Sequence, residues 1–446
     1  MVTGMWLSLV ERLVRDQEVA GSNPVIPTIF FVRKGFLQRE KMNILRMVNP
    51  VMPYVWGSCT FIQNLTGKAT GNEEPQAELW MGAHPKAPSR VLNGDKLASL
   101  YEIITEAPDE FLGSRTARTY QGQLPFLLKV LAAEQPLSIQ AHPNRKQAKE
   151  GFARENKLHI PLDAPNRNYK DPNPKPELLV ALTNFEALCG FRNLDAMKEL
   201  MQKFLSPFEL SEIDDFIRHP NPETLKLMYQ AMLKSSLEAG KRLINLYLDN
   251  LRKYEPATTQ EKMLRDWSFR LQELYPYDIG VLSPLLLNII VLKPFQGLFL
   301  EAGVLHSYLC GAGMEIMANS DNVLRGGLTS KHIDTDELLR ILNFTPHQYH
   351  PLKPVKISEI ESRYETSADE FCLSVIIHKT EQKSEFRPSN SPEILFCYEG
   401  KFEVENCSQI LSLEKGQSLF VPYEIEGYIL CGTGTVFRAK VNLPVD

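Results

Sequence analysis

The sequence predicts a mainly β protein, in which one β-sandwich is interrupted by a helical insertion and followed by a second sandwich. Three observations point there. From Met42 to about Leu182, short apolar runs are broken by Gly, Pro and Asn, the texture of strands joined by turns. Between about Asp195 and Tyr275, apolar side chains instead recur every three or four residues, the spacing of one helix face. From Leu285 strand texture returns and runs to the C-terminus.

In chain order, residues 1–41 read as an extension. Glu11, Arg12, Arg15, Asp16 and Glu18 interrupt its apolar residues, which excludes a secretory signal and counts against a transit peptide. Residues 7–27 resemble a translated transfer-RNA gene, and Met42 offers a second start just ahead of the first foldable stretch. Residues 1–41 are therefore expected to be non-native or disordered, the authentic chain beginning at Met42. Residues 42–190 form the first part of the first sandwich, with buried strands at 126–131 and 178–182. Residues 191–277 form the helical region, marked by Met197, Leu200, Met201 and Phe204 and by Leu243, Ile244, Leu246 and Leu248. Residues 278–345 complete the first sandwich. Residues 346–446 form the second, with two-residue alternation at 401–405. The segment Leu292-Lys-Pro-Phe-Gln-Gly-Leu-Phe-Leu300 aligns without gaps to Leu413-Glu-Lys-Gly-Gln-Ser-Leu-Phe-Val421, and the same register sets His306 opposite Gly427. Either these are independent strand-turn-strand units or the sandwiches are two copies, of which only the first kept a metal ligand.

Apolar residues make up 43% and charged residues 23% of the 446 positions, the balance of a globular chain of two or three domains. A formal net charge of -5 argues against nucleic acid as a partner, but it leaves room for a small phosphorylated molecule in a locally basic pocket. The seven cysteines are scattered from Cys59 to Cys431 without a C-x-x-C pair. Neither a disulfide framework nor a cysteine metal site is indicated, and a reducing cytoplasm is the expected compartment. The best apolar run, residues 279–292, is too short to cross a membrane and contains Ser283, Pro284 and Asn288.

Four side chains could ligate one metal. Gln140 and His142 are two apart, so a strand would point both to one face. Glu177 follows Lys175 and Pro176, and His306 lies in Gly303-Val-Leu-His306. Two imidazoles, one carboxylate and one amide oxygen make a mixed shell suited to a borderline divalent ion. One glutamate leaves part of the metal charge free to polarise a substrate oxygen. Spacing alone does not bring Glu177 and His306 together. A lone histidine is more often a packed or surface residue, and His84, His159, His219, His332, His347, His350 and His378 are read so, as Trp56 and Trp80 are read as core packing.

The stretch from His306 through Glu315-Ile-Met-Ala-Asn-Ser-Asp321-Asn322-Val-Leu-Arg325 to Lys331 resembles the signature of type I mannose-6-phosphate isomerases of the cupin superfamily. So do Tyr169-Lys-Asp171-Pro-Asn173-Pro-Lys175-Pro-Glu177, Tyr54-Val-Trp56-Gly57, Ala77-Glu-Leu-Trp-Met-Gly82, Leu124-Pro-Phe-Leu-Leu-Lys129 and Gln140-Ala-His-Pro-Asn144. The resemblance covers about residues 47–331. It implies a cupin-type jelly roll, a second cupin-like domain without metal, and one zinc ion per chain, other divalent ions not excluded, held by residues matching Gln140, His142, Glu177 and His306. It further implies a catalytic arginine at Arg325 and reversible conversion of mannose 6-phosphate and fructose 6-phosphate. That reaction links GDP-mannose supply to glycolytic sugars, in an enzyme expected to be a cytoplasmic monomer. Pro174 stands where the family usually has a histidine, and Ser307, Gly326 and Ser330 stand where it has alanine, alanine and proline. None is a ligand, though Pro174 can alter how the loop carrying Lys175 is held.

Such a reaction moves a proton between adjacent carbons through an enediol. A metal and a neighbouring cation would stabilise the oxygen that becomes negative as the proton leaves. Arg325 suits the second role and cannot readily be the base, because guanidinium stays protonated. Glu315 and Lys175 are the candidate bases. Lys129, Lys175, Arg325 and Lys331 would form a basic pocket for a sugar phosphate, with Ser138 and Tyr308 as further contacts. Two rivals use the same residues differently: a ferrous-iron oxygenase built on the two histidines and Glu177, and a catalytically inactive sugar-binding cupin.

Overall fold

The computed structural model describes residues 42–67, 74–93, 96–207, 210–387 and 390–442. The expected N-terminal extension, residues 1–41, lies outside the described residues. Two ten-stranded antiparallel sheets carry the fold. The first is organised around the long strand His306–Ala318. Its second half pairs with Phe126–Ala133, setting Glu315 opposite Lys129, and with Glu177–Ala181, setting Met317 opposite Glu177. Its first half pairs with Ile139–Ala141 and Phe185–Phe191, setting His306 opposite both Gln140 and Cys189. A register shift between Tyr308 and Cys310 separates the halves. Just beyond it, Gly311 has φ of 116° and passes so close to the Asn184 carbonyl that a Cβ would lie 2.6 Å from it. One strand thereby serves both halves of the sandwich.

Phe126–Ala133 and Glu177–Ala181 are buried at every position. Strands covered on both faces read as continuous apolar runs. The exceptions, Lys129 and Glu177, must therefore meet charged or metal partners. Leu131, Leu179, Phe185, Leu292, Leu300 and Tyr308 share one apolar cluster, the interior of this sandwich.

The helical region comprises Leu194–Phe204, Ser211–Arg218, Pro222–Lys234, Leu237–Arg252 and Thr259–Leu274. Asn193, Asn221, Ser236 and Thr258 each accept first-turn backbone N–H groups, and Asn221 and Thr258 complete capping boxes with Thr224 and Glu261. Met197, Met201 and Phe204 are buried, as are Leu243, Ile244 and Leu248, while Leu200 and Leu246 are half-buried. This core also includes Ile139, Leu305 and Leu309, which alternate along their strands with Gln140, His306 and Tyr308. The helices thus back the strands that carry the candidate ligands.

The second sheet contains Cys372–Phe386, Glu393–Glu405, Ile410–Glu414, Ser418–Val421 and Tyr428–Lys440. Leu45–Val48, Arg90–Asn93 and Lys96–Ser99 join it through the pairing of Leu45 with Phe420. The aligned segments of the sequence repeat follow the same succession. Leu287–Leu292 and Gly297–Leu300 lead into the 13-residue strand His306–Ala318, and Ile410–Glu414 and Ser418–Val421 lead into the 13-residue strand Tyr428–Lys440.

The second sheet buries an ion cluster. Arg438 Nε lies 2.7 Å from Glu393 Oε2 and its Nη1 3.3 Å from Glu361 Oε1, and the Tyr428 hydroxyl donates to Glu393 Oε2 at 2.9 Å. Removing one side of such a group leaves uncompensated buried charge. Arg438→Met should therefore cost about 3–5 kcal/mol, seen as a lower urea midpoint; an unchanged midpoint would show that the cluster contributes nothing to stability.

Candidate metal centre and active site

Strand pairing brings together what spacing could not. Gln140 lies opposite His306 on one edge and opposite Arg325, in Leu324–Gly327, on the other. His142 directly follows Ile139–Ala141, and Glu177 opens its strand. The His142 Nδ1–H donates to the Asn322 carbonyl at 2.8 Å, and the His306 Nδ1–H donates to the Val304 carbonyl at 2.9 Å. A carbonyl only accepts, so both rings carry their proton on Nδ1 and turn an Nε2 lone pair inward.

Those Nε2 atoms stand 3.4 and 3.5 Å from the Glu177 oxygens. Burial lowers the His142 pKa to about 4 despite Glu177 beside it, so the ring is neutral at neutral pH. Glu177 is ionised: burial opposes this, but the Lys175 ammonium, 3.2 Å away, outweighs it and holds the carboxyl well below its usual range. His142 Nε2 and Glu177 Oε2 are buried without a hydrogen-bond partner. Unpaired buried acceptors are costly in an ordinary core. They are what a cation requires. One ligand atom from each of His142, Glu177 and His306 lies within 4.8 Å of the others, so the trio can hold a metal ion. The Gln140 amide nitrogen is 3.4 Å from His306 Nε2, and rotating the amide would present its oxygen instead.

A second group of charges adjoins the first. Lys129 Nζ lies 3.0 Å from Glu315 Oε2 and 3.8 Å from Glu78 Oε1. The Trp80 indole N–H donates to Glu78 at 2.6 Å, and the Tyr308 hydroxyl donates to Glu315 Oε1 at 3.0 Å. All five side chains are buried. Burial alone would lower the Lys129 pKa, but Glu315, Glu78 and Glu177 outweigh it and keep the ammonium charged. Burial pushes the Glu315 carboxyl up, an effect that Lys129 opposes and Glu177 and Glu78 reinforce. Lys129 and Tyr308, expected from sequence to touch substrate, thus have their polar atoms committed to these carboxylates. Ser138 is half-buried on the approach to Gln140.

Arg325 has no ion pair or hydrogen bond to its guanidinium among the described residues, and burial lowers its pKa. The exposed Lys331 is lowered by partial burial and by the charges of Arg325, Lys86 and Lys170. Four cations therefore crowd one rim, two of which, Lys86 and Lys170, sequence reasoning did not single out, although both lie inside the quoted motifs or beside them. His84 was also missed. It is buried as packing would require, yet its Nε2 lies 3.6 Å from Asp321 Oδ2 and its Nδ1 accepts the Lys86 backbone N–H at 3.2 Å. Burial brings its pKa to about 4. His159, His219, His332, His347 and His350 are exposed, and His378 is buried against the Gly432 carbonyl.

Asn322 is the least visible member of the site. Fully buried, it accepts the Lys170 and Asp171 N–H groups on Oδ1 at 2.7 and 3.2 Å. Its Nδ2 donates to the Asp171 and Asn173 carbonyls at 2.8 and 2.9 Å. One residue therefore both orients His142 and shapes the loop that leads to Lys175 and Glu177. Asn322→Asp would replace the donor with an acceptor facing two carbonyls. Metal affinity, read by competition with a chromophoric chelator, should fall roughly 10- to 100-fold; unchanged affinity would mean the loop is held without it.

Comparison with known proteins agrees with this geometry. The family description "Phosphomannose isomerase type I, catalytic domain" matches residues 44–194, and "Mannose-6-phosphate isomerase, cupin domain" matches residues 361–441. Mannose-6-phosphate isomerase of Escherichia coli is 40% identical over 402 residues, 89% of this chain and 100% of the relative. That of Homo sapiens is 36% identical over 316 residues, 66% of this chain and 72% of the relative. Among solved structures, a phosphomannose isomerase variant from Salmonella typhimurium superposes with a TM-score of 0.84 at 38% identity, covering 90% of this chain and 100% of that one. A zinc-bound mannose 6-phosphate isomerase gives a TM-score of 0.83 at 38% identity with the same coverage. The chain belongs to the type I phosphomannose isomerase family.

Proposed function

We propose that this chain interconverts mannose 6-phosphate and fructose 6-phosphate with one zinc ion held by His142, Glu177, His306 and the amide oxygen of Gln140. The observation that supports this most is the convergence of two buried Nε2 lone pairs on an ionised carboxylate that lacks a partner for one oxygen. The mixed nitrogen and oxygen donors suit zinc, the metal of a relative's solved structure. When bound, the ion would supply Lewis-acid polarisation of substrate oxygens.

The remaining roles fall to this chain's own side chains. Arg325, unpaired and opposite Gln140, stabilises the oxygen that gains negative charge as the enediol forms. Lys331, with Lys86 and Lys170, draws the phosphate dianion to the rim. Both candidate bases are paired in this structure: Lys175 with Glu177, so that it would have to shed a proton before acting, and Glu315 with Lys129 and Tyr308. The buried carboxylates Glu78, Glu177 and Glu315 outnumber the buried ammoniums Lys129 and Lys175 by one charge. A divalent ion converts that deficit into a net positive site, as an anionic substrate requires.

The proposal keeps a first cupin unit of residues 42–190 and 278–345, a helical unit of 191–277 and a metal-free unit of 346–446, in a cytoplasmic monomer. Among the described residues, no helix is long and apolar enough to cross a membrane.

A coupled assay with mannose 6-phosphate should show turnover that chelation removes and zinc restores; turnover indifferent to a strong chelator would contradict the proposal. Arg325→Ala should keep its metal and lose roughly two to three orders of magnitude in kcat. His306→Ala should instead lose metal, as judged by elemental analysis of the purified protein.

A further inference from the structure

The helical region takes no part in the chemistry described so far, yet one of its side chains, Tyr229, and the residue that directly follows it, Asp278, reach the segment that carries Arg325 and Lys331. Asp278 follows the helix Thr259–Leu274 and caps the turn Ile279–Leu282. Its Oδ1 accepts the Gly280 N–H at 2.7 Å and the Leu328 N–H at 2.9 Å, and its Oδ2 accepts the Thr329 N–H at 3.2 Å. Leu328 and Thr329 lie midway between Arg325 and Lys331.

That segment would not hold its shape unaided. Gly327 has φ of 145° and Leu328 has φ of 52°, the latter in the left-handed region that a leucine rarely enters. The crossing is tight: a Cβ on Gly280 would lie 2.9 Å from the Leu328 nitrogen, and one on Gly327 would lie 3.0 Å from the Gly280 Cα. From the helix Pro222–Lys234, the Tyr229 hydroxyl donates to the Gly326 carbonyl at 3.4 Å. A Cβ at position 326 would lie 2.8 Å from that hydroxyl, so Gly326 leaves Tyr229 room that alanine would not. Beneath the segment is a small, mainly apolar cavity lined by Ile139, Tyr229, Gly280, Ser283, Leu305 and Gly326. Leu328 is itself buried in the core shared with the helices, so its packing and the Asp278 hydrogen bonds together decide where the segment rests.

We infer that Asp278 is a positioning residue, which clamps residues 326–329 so that Arg325 faces the metal trio and Lys331 faces the cationic rim. The roles it serves at Arg325 and Lys331 rest on the proposed function above. Asp278 touches neither substrate nor metal; it acts through the backbone it holds. The junction between the helical insertion and the returning strands thereby acquires a task in the reaction.

The test uses the full chain loaded with zinc, as wild type, Asp278→Ala and Asp278→Asn. Asp278→Ala should raise KM for mannose 6-phosphate and lower kcat, with a combined loss in kcat/KM on the order of 10²-fold, the scale expected when reacting groups shift by about 1 Å. The inhibition constant of inorganic phosphate should rise in parallel, and zinc content should not change. Asp278→Asn, which keeps one carbonyl oxygen for Gly280 and Leu328, should fall between the two, and it decides the matter if the alanine variant fails to fold. Deuterium exchange in the peptide spanning residues 326–331 should accelerate in either variant. A lower melting temperature with KM, phosphate inhibition and exchange all unchanged would overturn the clamp. If the wild type does not turn over mannose 6-phosphate, the functional reading fails, and exchange at 326–331 still decides the clamp by itself.

Discussion

The site depends on one electrostatic conflict. Two imidazoles, each fixed by an Nδ1 hydrogen bond to a backbone carbonyl, aim Nε2 at the carboxylate of Glu177 inside a buried layer. Three electron-rich donors in a low-dielectric interior repel one another unless a cation lies among them. The bonds to the Asn322 and Val304 carbonyls make the conflict unavoidable, since neither ring can turn its Nδ1–H inward without giving up that partner. A site that is unfavourable alone and favourable with a divalent ion is how a fold selects for metal.

Much of the first sandwich serves to impose that geometry. The strand His306–Ala318 contributes His306 to the metal trio at one end and Glu315 to the adjoining charges at the other, and the bulge after Tyr308 lets it pair with four strands. Lys129 then offsets part of what burial, with Glu177 and Glu78 nearby, does to push the Glu315 carboxyl toward protonation. The second sheet meets the same requirement differently. Its strand Tyr428–Lys440 carries Arg438 into a buried interior, where Glu393 and Glu361 satisfy it in a closed ion cluster.

The helical region was legible in the sequence because it depends on periodicity. Met197, Leu200, Met201 and Phe204 recur at three- and four-residue spacing, and the structure turns them to the buried or half-buried face of Leu194–Phe204. The alternation of Gln140 and His142 announced one shared face. The meeting of Glu177 with His306 was not legible from spacing, since it depends on which strands pair across more than a hundred residues; only the resemblance supplied it. Lys129 illustrates the same limit. Its charge within an apolar strand marked it as special, but its partners Glu315 and Glu78 lie on neighbouring strands, and so a substrate contact was expected where the structure has an ion pair. Asn322 and Asp278 were invisible for a related reason: they act through backbone groups, and sequence does not display which N–H or carbonyl a side chain will reach. Nor did strand texture show that Leu45–Val48, Arg90–Asn93 and Lys96–Ser99 join a sheet whose remaining strands lie near the C-terminus.

The central claim is that a single divalent ion resolves the conflict among His142, Glu177 and His306. Diffraction from zinc-soaked crystals, recorded on both sides of the zinc absorption edge, tests it most directly. The account predicts one anomalous peak bonded to both Nε2 atoms and to the Glu177 carboxylate, with the Gln140 amide oxygen turned toward it. A peak elsewhere, or none at this trio while the two rings keep their Nδ1 bonds, would contradict it.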